Sequence, residues 1–329
     1  MQRNKERIAL YFDVKLEASS TSRGEFREID GLVPRSLEDL TGFLQQLVSD
    51  PDRNILWPKN SRADILYLAD MHVDEDRRLI LLVNRCDPRA ADSVFFDPET
   101  RTRTLHEKKP GEGLDHSSHV VVSLDPFAPH MYRAVIEMCP GLSSARLEAY
   151  INFLLKECAM VYEDAFMVDH TSGAMKNGKP VRVRIKHKCK MMGHISPEFE
   201  QELEAGTLGD IELIRLSSGA HQWDSAGSLI EKAQVVRIRE SSKGAVDQKL
   251  AALKDLCGVA RQENFDQVRV TFKSEDGLTR TAKIDPSSTG LAHDSKYIKK
   301  VVIGGFTTNL PTSFDSVNHE LKSKLCALL

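Results

Sequence analysis

The most regular pattern along the chain is the stretch VRVRIKHKCK, residues 181–190. Val181, Val183, Ile185 and Cys189, with His187 as the polar exception, alternate strictly with Arg182, Arg184, Lys186, Lys188 and Lys190. A period of two predicts a β-strand with one face on a core and the other carrying only cations. Alternate residues of a strand lie about 6.6 Å apart, so five cations span about 26 Å, the length of about eight base pairs. Between Met167 and Pro197 the only acid is Asp169, and Lys179 adds a further cation just ahead of the row.

Other periodic segments predict the rest of the architecture. IALYFDVKL (8–16) reads as a strand followed by a polar loop from Glu17 to Gly24. Ser36 has the chemistry of a helix N-cap, with Asp39 three residues on and an apolar stripe of Leu37, Leu40, Phe43, Leu44, Leu47 and Val48. DILYLADMHV and RLILLVNRC predict a hairpin across Asp74-Glu75-Asp76, and SVFFDPETRTRTL a second hairpin at Asp97-Pro98-Glu99. A strand over His119–Leu124 precedes a helix over 143–160 whose face is Leu147, Ile151, Leu154, Leu155 and Cys158. Beyond the basic strand come a short helix capped by Ser196 with Pro197 at its first position, the strand DIELIRL, and the strand QVVRIRE. A helix around LAALKDLCGVA, a hairpin of DQVRVTFKS with LTRTAKI, and a last helix from about Phe314 complete the chain. The expected fold class is α+β: two domains, each a mainly antiparallel sheet with a few packed helices, over residues 1–164 and 165–329 with the turn-rich HTSGAMKNGKP near the division.

Charge sharpens this division. The net charge of −3 conceals −7 over residues 1–165 (21 Lys and Arg against 28 Asp and Glu) and +4 over residues 166–329 (24 against 20). Attraction to a polyanion therefore belongs to the second half. Three of its strands share one plan, so Arg237 and Arg239 of QVVRIRE and Arg269 and Lys273 of the DQVRVTFKS hairpin join the row as candidate nucleic-acid contacts if the strands share a face. No run approaches the 18 apolar residues of a membrane span and the start has no long apolar segment, so a cytoplasmic protein is expected. Six scattered cysteines with no CxxC pair are expected to be buried reduced thiols.

Candidate chemistry is sparse. In His116-Ser117-Ser118-His119 the two histidines would point to opposite faces of a strand, which does not suit a shared metal. The His-x-Ser pattern recurs at His293–Ser295, a frequency that chance supplies in a chain with eleven histidines. Phosphate-cradling glycine loops, HExxH and G-x-S-x-G are missing. A metal-dependent nuclease or phosphoesterase is the alternative to a binding protein, and it would have to draw on Asp210 and Glu212 near Lys186 or Lys188. A protein-interaction module, its basic strand meeting the acidic half of a second copy, is a third reading. His221-Gln222-Trp223 offers a tryptophan that would stack on a base if exposed, with core packing as its ordinary role. No catalytic residue, metal ligand or cofactor is assigned.

The hairpin LYLADMHVDEDRRLILLV, the strand HSSHVVVS with PGLSSARLEAYINFLL after it, and VRVRIKHKC leading through a short acidic helix into DIELIRL together form a layout. This layout, over roughly residues 64–216, resembles the phage-exclusion and defence proteins of the RexA and Kiwa KwaB type. The resemblance implies a non-enzymatic, homodimeric, cytoplasmic DNA-binding protein that acts with a membrane or effector partner encoded nearby. It carries no motif, so the site residues rest on the charge pattern alone, with duplex DNA as the favoured partner.

Overall fold

The computed structural model describes residues 5–21, 29, 31–53, 55–58, 64–176, 178–216, 232–239, 248–274, 277–286, 290, 291 and 297–329. In chain order the elements are β1 (Arg7–Ser20), α1 (Leu37–Val48), β2 (Ile65–Val73), β3 (Arg78–Asp87), β4 (Ser93–Asp97), β5 (Thr102–His106), β6 (Leu114–Ser123), β7 (Met131–Glu137) and α2 (Ser144–Val161). There follow β8 (Met167–Asp169), β9 (Met175–Lys176), β10 (Lys179–Pro180), β11 (Arg182–Gly193), α3 (Pro197–Ala205), β12 (Thr207–Leu216), β13 (Ala233–Ile238) and α4 (Lys249–Gln262). The remainder are β14 (Gln267–Lys273), β15 (Thr279–Asp285), β16 (Gly290–Leu291), β17 (Lys300–Ile303) and α5 (His319–Cys326). The fold is α+β with antiparallel ladders, as the alternating and helical periods require.

Two compact units divide the chain: Met1–Ala9, Val14–Lys190 and Val302–Leu329 form one, and Leu10–Asp13 with Met191–Val301 the other. In the first unit the strands run in the order β1-β7-β6-β3-β2. Leu79 to Val83 of β3 are all buried because this strand pairs on both edges, with β2 and with β6, and is covered on both faces. Helices α1 and α2 contact each other, and Leu40, Leu44 and Leu47 of one and Leu147, Leu154 and Leu155 of the other are all buried. Ser36 is the N-cap expected of it, its Oγ accepting from Asp39 N; α2 starts at Ser144 rather than 143, with Ser143 as its cap, Oγ accepting from Arg146 N.

The second unit orders its strands β13-β12-β14-β15-β16. Phe199 of α3 meets Phe272 of β14 and Tyr297 edge-on, with ring centroids 5.7 and 5.0 Å away. Ser196 caps α3 through a bond from Phe199 N, and Pro197 takes the first helical position.

Two expectations are corrected. Strand β1 does not stop at Leu16 but continues to Ser20, over residues read as loop. Nor does the last helix begin at Phe314: it starts at His319, with Asn318 as its cap. The segment before it is held out of helix because sheet groups claim its backbone. Thr312 O accepts from Ser117 N (2.9 Å), Phe314 N donates to Ser117 Oγ (2.7 Å), and Val317 N donates to Asp70 Oδ2 (2.8 Å). Such bonds satisfy backbone groups that a helix would otherwise have to pair.

Candidate nucleic-acid interface

Strand β11 realises the period-two pattern residue by residue. Val183, Ile185, His187 and Cys189 are buried, whereas Arg182, Lys186 and Lys188 are exposed and Arg184 and Lys190 half-buried. What fixes the register is partly a helix. Asn152 of α2 accepts from Cys189 N through Oδ1 (2.7 Å) and donates from Nδ2 to Cys189 O (2.9 Å), satisfying both backbone groups of that residue. At the start of the strand β8 pairs antiparallel, setting Arg182 opposite Asp169 and Arg184 opposite Met167. The buried face is anchored at His187, whose Nε2 accepts from Arg35 N (3.0 Å) and whose ring meets Phe166 edge-on. Because Nε2 accepts, the ring proton sits on Nδ1. Burial, reinforced by the nearby Arg35 guanidinium, pushes His187 down to about 4.

Electrostatically the row is uneven. Arg182 Nε lies 3.7 Å from Asp169, Arg184 Nη1 3.3 Å from Glu163, and Lys190 Nζ 2.9 Å from Glu17. Glu17 titrates below the ordinary carboxylate range: partial burial opposes its charge, and Lys190 and then Lys15 outweigh that cost. Among the described residues Lys186 and Lys188 form no ion pair, and Lys179 is exposed on β10 ahead of the row. Sequence reasoning found the cations and Asp169 but missed Glu17 and Glu163, which come from outside the basic stretch; Asn152 was missed for the same reason.

The other four candidates lie in the second unit. Adjacent strands bring Arg237 of β13 and Arg269 of β14 to either side of Glu212 on β12, in the register Arg237↔Glu212↔Arg269. The distances are 3.1 Å from Arg237 Nε and 2.6 Å from Arg269 Nη1. Arg239 is exposed just past the end of β13, and Lys273 is exposed at the end of β14. Glu212, the carboxylate that a metal site would have needed, is thus committed to two guanidinium groups.

His116-Ser117-Ser118-His119 lies in β6 and supplies structure. His119 is fully buried: its Nδ1 is 2.7 Å from Glu137 Oε2, its Nε2 accepts from Asn318 N, and the other Glu137 oxygen accepts from Arg7 Nε at 2.8 Å. Ser117 Oγ donates to Asn84 Oδ1 and accepts from Phe314 N. His116 is held below its usual range by burial and then by Arg85. His221-Gln222-Trp223 and His293–Ser295 fall outside the described residues. Trp57 pairs backbone to backbone with Leu66. Five of the six cysteines are buried. Among the described residues no group of three or more His, Cys, Asp or Glu side chains is placed to hold a metal ion, and no helix is long and apolar enough to cross a membrane.

No family model matches the chain, and no curated protein does.

Proposed function

We propose that the protein binds the phosphate backbone of duplex DNA without reading its sequence, through the outward row Arg182, Arg184, Lys186 and Lys188 of β11. The observation carrying this reading is the row itself: every second side chain is buried and every intervening one is a cation at the surface. The four cations span about 20 Å, about six base pairs, and present point charges and guanidinium forks suited to phosphate oxygens.

The acids beside the row do not cancel it. Glu163 and Asp169 are 61% and 70% exposed, and exposed pairs of this kind contribute only about 0–1 kcal/mol each. Phosphates can therefore displace them, while among the described residues Lys186 and Lys188 have no ion pair to give up. Phosphate contacts of this type position a protein on the duplex but carry no base information. The layout resemblance to RexA and KwaB supports a role in phage exclusion or anti-phage defence. Arg237 and Arg269 do not enter the proposed row, since Glu212 holds both.

The triple variant Arg182→Glu, Arg184→Glu, Lys186→Glu tests the reading. These side chains project from the buried face, so circular dichroism and melting should match the parent while duplex affinity falls by at least about 100-fold, three phosphate contacts having become repulsions. Unchanged affinity in a folded triple variant would refute the proposal.

A further inference from the structure

Within the first unit, the turn between β2 and β3 and one side of α5 border an open cleft of about 440 Å³. Both walls are fixed by the fold. Asp74 closes the turn: its N donates to Arg78 O and its Oδ1 accepts from Arg78 N, both at 3.0 Å. Opposite, Leu321 and Leu325 bury the inner side of α5, which leaves Lys322, Ser323 and Cys326 to line the cleft. The lining holds two charges of each sign, Asp74 and Asp76 against Arg78 and Lys322. Their pairing is uneven. Arg78 Nη2 lies 2.9 Å from the exposed Asp76, but the Asp74 side chain is only 13% exposed and its Oδ2 is poorly served. Arg78 Nη1 and Lys322 Nζ are each 3.8 Å from that oxygen, and Cys326 Sγ is 4.0 Å away. Among the described residues no N–H or O–H donor comes within hydrogen-bond distance of Oδ2. A carboxylate oxygen so shielded from water ordinarily takes charge-assisted bonds of about 2.7–2.9 Å.

We propose that this cleft binds a free α-amino acid with an uncharged side chain. Its ammonium group supplies Asp74 Oδ2 with a short charged donor. Its carboxylate takes Lys322 Nζ and Arg78 Nη1, the guanidinium nitrogen that Asp76 does not engage. Three observations select this class. The first is charge balance: a net cation would be repelled by Arg78 and Lys322 and a net anion by Asp74 and Asp76, whereas a zwitterion satisfies both signs. The second is spacing. The anionic and cationic poles lie 3.8 Å apart, which suits an ammonium and a carboxylate carried on one carbon, about 3 Å from nitrogen to oxygen, and no longer zwitterion. The third is room. The volume lies within the range of small-molecule sites and leaves space beyond the two poles, bordered by His319, Ser323 and Ala327 without a fifth Lys, Arg, Asp or Glu to receive a charged side chain.

The test is calorimetric titration of the full chain with each proteinogenic amino acid in turn. At least one with an uncharged side chain should bind saturably at one per chain, and its melting temperature should rise with ligand concentration because the ligand ties α5 to the turn. The best binder is then compared with its N-acetyl and its C-amide derivatives, each of which lacks one pole. Both should bind at least about 10-fold more weakly, as loss of a charged hydrogen-bond partner requires. Asp74→Asn and Lys322→Gln should each weaken binding by a similar factor; Asp74→Asn retains the Oδ1 that closes the turn, and the blocked ligands need no variant at all. Absence of saturable binding by every amino acid at millimolar concentration would overturn the proposal. So would equal affinity for free and blocked forms, or unchanged affinity in both folded variants. The cleft shares no residue with β11, so the outcome is independent of the DNA-binding reading.

Discussion

His187 is the one non-apolar residue on the buried face of the basic strand, and the reason it is tolerated is local. Its Nε2 satisfies the backbone N–H of Arg35, and its ring fills space against Phe166. The consequence is a pH dependence. Unfolded, the ring takes a proton near pH 6.5; folded, it refuses one until about pH 4. Stability from this residue is fully present above pH 6.5 and is lost as pH falls towards 4, by at most about 1.4 kcal/mol per pH unit. His72 and His116 are lowered too, so the individual share has to be read by difference. The melting temperature should fall less steeply from pH 7 to 5 in His187→Gln than in the parent; equal slopes would show that His187 does not carry the effect. The buried Arg7–Glu137–His119 set is of another kind: a charge pair and a ring buried together, with Arg7 also donating to Glu6 O and Pro311 O, whose disruption would leave an uncompensated charge.

At the scale of elements, β11 works as a row whose members differ in how free they are. Removing the competing acids should make the row uniformly available. Glu163→Gln with Asp169→Asn is therefore expected to tighten duplex binding by about 3- to 10-fold at low salt, as loss of two exposed pairs worth up to about 1 kcal/mol each would allow. A weaker complex would mean that the acids orient Arg182 and Arg184 rather than compete for them. This row was legible in the sequence because a strand's period of two needs no long-range information. The same holds for the caps Ser36 and Ser196 and for the β2–β3 and β4–β5 turns. Illegible were contacts between residues far apart in the chain: Asn84 Nδ2 donates to Phe314 O across 230 positions, and Glu17 reaches Lys190 across most of a unit. Those contacts explain why 314–318 departs from the helix its composition suggests, and why β1 runs past its apolar residues to Ser20. The exposure of β4 and β5 was likewise unreadable, since VFF in a strand signals a buried face as readily as an uncovered one.

For the whole molecule, charge is distributed so that binding should be local. An acidic first half of −7 disfavours indiscriminate contact with DNA and makes the outcome depend on one narrow row. Arg237 and Arg269 share Glu212, which offsets one of their two charges and draws both guanidinium groups to itself. Affinity should consequently be moderate and steeply dependent on ionic strength, with no preference among sequences. The most direct measurement is the affinity of the full chain for a random-sequence duplex across a salt series at neutral pH. Displacement of counterions by Arg182, Arg184, Lys186 and Lys188 predicts a slope of log affinity against log salt of about −3.6, the same for unrelated duplexes. No binding at low salt, or binding with a slope near zero, would contradict the account.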